Sequence, residues 1–148
     1  EIKPLILKTH LKLIQNSIDT NLFKNFYCKV GGEEKDILID GHLSCAFFVS
    51  TILVIHRLVA NTHVTVESTV RDMEKTGWFE VNDLRPGAVI LWEAVDFGKS
   101  GYHKHLGFYI SESTAISNSS TLGVPVRHSY DFNQSRKIEK IYWHKSLE

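Results

Sequence analysis

The stretch that most constrains this chain is Asp40–Val49, DGHLSCAFFV, together with the apolar run behind it. From Ala46 to Ala60 the side chains are apolar almost all round, without proline or glycine, which predicts a helix buried in the middle of a domain. Asp40-Gly41 is a turn pair. Ser44 stands at the N-cap position, where a hydroxyl can accept from an orphan amide of the next turn. Cys45 is then the first helical residue. A thiol there feels the partial positive charge of the helix terminus, which favours thiolate and is expected to lower its pKa. That is the environment of a nucleophile, although a free cysteine is also a common small hydrophobe in protein cores.

A chain of 148 residues predicts one domain, spanning 1–148, long enough to bury a real core. Lysine plus arginine total 17 and aspartate plus glutamate total 17, so no basic surface points to nucleic acid or an anionic membrane. Two cysteines make no disulfide framework and leave the compartment open. The longest apolar run, Leu43–Ile55, is too short to span a bilayer, so no membrane span is expected. No signal peptide is visible. A start at Glu1 without methionine is read as trimming of an upstream segment, and Leu147-Glu148 as a vector remnant.

In chain order, Pro4 opens a helix whose apolar stripe is Leu7, Leu11, Ile14, Ile18 and Leu22. His10 lies off that stripe and is expected in solvent. Phe23–Val30 reads as a short strand or an extended entry segment closing in Gly31-Gly32, with Cys28 a packed thiol, and Glu33–Asp36 as a charged loop. Thr65 caps a short helix with the face Val66, Val70 and Met73, ended near Gly77. The period then changes to two. Trp78–Val81, Ala88–Trp92, His103–Ile110, Thr114–Ser117, Val124–His128 and Ile138–Trp143 read as strands of one antiparallel sheet, with Glu93–Tyr102 a loop. Helices first and strands afterwards predict an α+β fold with the sheet packed on the Cys45 helix.

Strand alternation in His103–Tyr109 puts Leu106, Phe108 and Ile110 on a core face and His103, His105, Gly107 and Tyr109 on the other. Gly107 leaves room beside His105 for a backbone or a ligand. An imidazole so placed can take the proton of a cysteine nucleophile. It can equally be a polar residue on the wet face of a sheet. His56 shares a helix face with Cys45 but lies about 16 Å along the axis, too far to be its base. His42 is near the thiol, on a turn that does little to fix its ring. His103 is the rival base. His63, His128 and His144 are placed at the surface or at strand edges.

Taken together, these segments resemble the NlpC-like and CHAP-type papain-like cysteine peptidases and amidases. The matching features are the aromatic-rich segment ending in Gly31-Gly32, the nucleophile segment Ser44-Cys45-Ala46-Phe47-Phe48-Val49, the turn and strand Pro86-Gly87-Ala88-Val89-Ile90-Leu91-Trp92, and the histidine strand His105-Leu106-Gly107-Phe108-Tyr109-Ile110 with the polar strand Ala115–Ser120 behind it. They run from Tyr27 to Ser120, most of the chain. The family writes Asp-Cys-Ser-Gly-Phe-Val around its nucleophile; here Ser44, Ala46 and Phe47 replace its Asp, Ser and Gly. Ala88 stands where an Asp often follows the Pro-Gly turn, and Tyr27 is offset. The pattern is that of a divergent branch.

The resemblance implies a papain-like α+β domain that cleaves a peptide or amide bond of bacterial peptidoglycan through a thioester, without a cofactor. It implies Cys45 as nucleophile, His105 as base, and a third residue about a dozen positions on that orients the imidazole. That residue is Asn118, as in papain-like triads, with Ser117 the alternative because a one-residue register change swaps the faces. The expected partner is a peptidoglycan stem peptide and the expected location is extracytoplasmic. Other readings are an inactive papain-like binding module, and a zinc site drawn from His42, Cys45, His103 and His105. In NlpC relatives that are lipid acyltransferases the His precedes the Cys, opposite to the order here.

Overall fold

The apolar run forms a helix shorter than its composition predicts. In the computed structural model, which describes residues 1–148, helix α2 covers Cys45–Ile55 rather than reaching Ala60. The stop is local. Arg57 takes a left-handed φ of 56°, its N–H donates to the Val54 carbonyl at 3.0 Å, and the Leu58 N–H donates to the Leu53 carbonyl at 2.9 Å. These two bonds close the helix end with Arg57 where glycine is usual. Ser44 occupies the N-cap position as expected but makes no capping bond; its hydroxyl is buried without a partner.

Two further helices flank it. α1 is Ile6–Asn16, so the stripe read as far as Leu22 ends a turn and a half early and leaves Leu22 exposed. α3 is Val66–Lys75, capped as expected by Thr65, whose side chain accepts from the Ser68 N–H at 3.1 Å. The segment read as a charged loop, Glu33–Asp36, is instead strand β2, which pairs antiparallel with β1, Tyr27–Val30, around Gly31-Gly32. Both glycines have positive φ, as a two-residue hairpin turn requires.

The second half forms one six-stranded sheet from β3 (Phe79–Val81), β4 (Val89–Asp96), β5 (Tyr102–Ser111), β6 (Thr114–Asn118), β7 (Pro125–Ser129) and β8 (Ile138–Trp143). Its spatial order is β3-β8-β4-β5-β6-β7, antiparallel throughout. β4 runs on to Asp96, into the stretch expected as loop, because its end pairs with the start of β5 after a bulge between Trp92 and Val95. The chain is thus an α+β fold with three helices and an antiparallel sheet.

The alternation of β4, β5 and β6 divides the core. Val89, Leu91, Leu106, Phe108 and Ile116 join Phe48, Val49 and Leu53 of α2 in one large cluster. Phe48 and Phe108 meet edge to face at 5.5 Å, and burying each of these rings stabilises the fold by about 1.5–3 kcal/mol. Ile90, Trp92 and Ala115 point the other way into a smaller cluster with Phe132 and Tyr130 packed against it. His10 is a correction: expected in solvent, it is fully buried in α1. Its Nε2–H donates to the Gly87 carbonyl at 3.1 Å and its ring meets Phe108 edge-on. Leu147 is also buried within the core cluster.

Candidate active site

Cys45 opens α2 and is half-buried. His105 lies on β5, buried to 8% exposure, directly across from Trp92 of β4. Both line one cavity of about 470 Å³, whose wall also includes His42, His103, Lys104 and Asn118. The sulfur faces the backbone N–H of Leu106, the residue next to His105. Thiol and imidazole therefore line the same cavity from a helix end and an inner strand of the sheet, although they are 60 positions apart in the chain.

Of the two residues considered for the third position, Ser117 is the one in contact with His105. His105 Nε2 and Ser117 Oγ are 2.9 Å apart, whereas Asn118, named first from the sequence, points to the turn before α2. Its Nδ2 donates to the Gly41 carbonyl at 2.7 Å, and its Oδ1 is buried without a partner. The strand register explains the exchange. Pairing Phe108 with Ile116 and Tyr109 with Ala115 sets Ser117 beside Gly107 on the face that carries His105. A Cβ on Gly107 would lie 2.6 Å from Ser117 Cβ and 2.9 Å from a Trp92 ring carbon. The space that glycine leaves is thus filled by Ser117 and Trp92 rather than by a ligand.

Residues the sequence did not single out complete the surroundings. Ser117 Oγ also lies 2.6 Å from His128 Nε2, so His128, expected at a strand edge, is tied to His105 through one hydroxyl. His128 stacks on Phe132 with centroids 4.2 Å apart, and Trp92 lies against both imidazoles. Arg136 donates from Nε to the Glu93 carbonyl at 2.9 Å and from its guanidinium to the His103 carbonyl at 2.7 Å. No periodicity marks an arginine in a turn, so nothing in the sequence pointed to it. Phe132, Asn133 and Gln134 run at φ 55°, 57° and 69°. Three successive non-glycine residues in that region could be seen only in coordinates.

The remaining histidines are accounted for. His42, read as poorly fixed, is held by the Ser120 carbonyl through Nδ1. His103 is held by the Ser100 carbonyl through Nε2. His63 is bonded to Asp72 at 2.6 Å and His144 to the Thr76 carbonyl at 2.8 Å; both are half-buried rather than on the surface. No group of three or more His, Cys, Asp or Glu side chains is placed to hold a metal ion, so the four residues considered for zinc do not converge. No helix is long and apolar enough to cross a membrane.

No family model matches the chain, and no curated protein matches it.

The electrostatics correct one expectation. Burial pushes the Cys45 thiol up, and it outweighs the Leu106 amide, the Arg136 charge and the amides of Ala46 and Cys45, all of which pull down. The helix terminus alone does not make a thiolate here. Burial, then the Arg136 and His128 charges, lower His105 to about 3. At rest the cavity therefore holds a neutral thiol and a neutral imidazole. Such a pair can still act as nucleophile and general base if the proton moves as the sulfur attacks.

Proposed function

We propose that this chain is a cysteine hydrolase that cleaves a peptide or amide bond through a thioester, with Cys45 as nucleophile, His105 as base and Ser117 as the residue that orients the imidazole. The observation that carries the reading is the shared cavity, in which a helix-terminal thiol and an imidazole with a fixed ring nitrogen face the same space. Cys45 Sγ attacks the substrate carbonyl while its proton passes to His105 Nδ1. The backbone N–H of Cys45, which as the first helical residue has no partner in its own helix, contributes to the oxyanion site. The imidazolium gives the same proton to the leaving nitrogen as the C–N bond breaks, and the amine departs. Water then attacks the thioester and gives a proton to His105; the C–S bond breaks, a carboxylic acid leaves, and the proton returns to sulfur.

The substrate class comes from the resemblance to NlpC-like and CHAP-type papain-like enzymes: a stem peptide of bacterial peptidoglycan, met outside the cytoplasm. The test is digestion of purified peptidoglycan by wild type and by Cys45→Ala, with the products read by mass spectrometry. A new free amine on the stem peptide with the wild type alone supports the hydrolase and places the cut; identical profiles contradict it. The elevated thiol favours one second reading, a papain-like binding module without turnover. In that case Cys45→Ala binds peptidoglycan as the wild type does and neither releases product.

A further inference from the structure

We infer that His128 is a positioning residue that selects the reactive tautomer of His105 through the Ser117 hydroxyl. The inference rests on His105 being the base of the proposed reaction and names what sets its protonation pattern. The direction of the hydrogen bonds follows from one end of the chain of contacts. His128 Nδ1 lies 2.7 Å from the Ser129 carbonyl, which can only accept, so Nδ1 carries the proton. In the neutral ring Nε2 is then an acceptor, and Ser117, 2.6 Å away, must donate its hydroxyl proton to it. With that proton spent, Ser117 Oγ can only accept from His105, and the 2.9 Å contact is an Nε2–H donation. His105 Nδ1 is left with a bare lone pair, and it makes no hydrogen bond within the chain. That is the nitrogen a base must present to a thiol.

The surroundings hold His128 in this role. Burial lowers its pKa and keeps the ring neutral, against the Ser129 carbonyl, which raises it. Phe132 stacks flat on it, 15° from parallel, and also meets Trp92 and His105 edge-on. The left-handed turn that carries Phe132 is pinned from both sides. Ser129 Oγ donates to Asp131 Oδ1 at 2.8 Å and accepts from the Asn133 N–H at 3.2 Å, and the Gln134 N–H donates to Asp131 Oδ1 at 3.1 Å. A strained turn so bonded is a built feature, and what it builds is one wall of the two-imidazole array. Without the His128 acceptor, Ser117 is free to donate to His105 Nε2. The proton then moves to Nδ1 and the lone pair needed to take the thiol proton is lost.

The test is nitrogen-15 NMR of the imidazole nitrogens in wild type, His128→Phe and His128→Gln, with no substrate present. Phenylalanine keeps the stack on Phe132 and deletes the acceptor; glutamine offers an oxygen near the position of Nε2. The expected result is an Nε2–H tautomer of His105 in wild type and in His128→Gln, and a shift to Nδ1–H in His128→Phe. An Nδ1–H tautomer in the wild type overturns the inference even if His128→Phe does not fold; so does an unchanged tautomer in folded His128→Phe. With substrate, His128→Phe lowers kcat by about 10- to 100-fold, the usual effect of losing an outer hydrogen-bond partner, with KM nearly unchanged. In a Ser117→Ala background the same substitution has no further effect. Tautomers that follow this pattern in a protein without turnover uphold the inference while the hydrolase reading falls.

Discussion

Two buried imidazoles, His10 and His105, set how this protein meets acid. His10 is lowered from 6.5 to about 4 by burial, with the Gly87 carbonyl opposing and His56 adding to the effect. Its folded value lies below its unfolded value, so the folded state is favoured above pH 6.5 and loses that advantage as pH falls towards about 4. A shift of this size is worth about 3 kcal/mol. His10→Gln keeps a donor for Gly87 and removes the titration. Its denaturation free energy is expected to fall less between neutral and acid pH than that of wild type, by about that amount; parallel curves would contradict it. For His105 the sign runs through activity. The ring must be unprotonated to accept the thiol proton, so kcat/KM rises with pH through a limb near 3 and shows no inflection near the ordinary value of 6.5. It declines only above the usual thiol value of 9.0, when the proton needed by the leaving amine is gone. An acid limb near 6.5 in the measured profile would mean an imidazole in water. At this scale the sequence singled out Cys45 and His105 by residue type and setting, and both line the cavity. It missed the direction of the thiol shift, because burial can be weighed against a helix terminus only once the neighbours are known.

The elements show where local sequence decides and where packing overrides it. Thr65 and Ser44 read alike as N-caps, yet only Thr65 makes the bond. Thr65→Ala is therefore expected to cost about 1 kcal/mol of stability. Ser44→Ala, which removes a buried hydroxyl without a partner, is expected to cost nothing or to stabilise slightly. Paired thermal melts check both, and an equal loss in the two variants would contradict the difference in their bonding. Strand β5 was legible because Leu106, Phe108 and Ile110 recur at every second position. β2 was not: Glu33–Asp36 is mostly exposed on both faces, so no apolar period marks it, and only its pairing with β1 makes it a strand. The end of α2 was missed for a related reason, since Arg57 in a left-handed turn carries none of the usual glycine signal. Asn118 and Ser117 could not be separated by sequence because their order on the face depends on the β5–β6 register, which the bulge after Tyr109 shifts.

Across the whole molecule, the helix layer and the sheet meet so that a helix end and a strand start frame one cavity. The sheet's second face, with Trp92 and Phe132, supports the imidazoles from behind. The architecture class was readable from the change of period halfway along the chain; the cavity was not, because it is made by residues from Ile37 to Ser120 that only folding brings together. The account depends on Cys45 forming a covalent bond with its substrate, and rapid acid quench of wild type with a peptidoglycan stem peptide, followed by mass spectrometry of the protein, tests that bond directly. The predicted result is an added mass equal to the acyl half of the cleaved peptide, located on the fragment that carries Cys45, no later than the amine product and absent from Cys45→Ala. Release of the amine with no such adduct, or at an equal rate by Cys45→Ala, would contradict it.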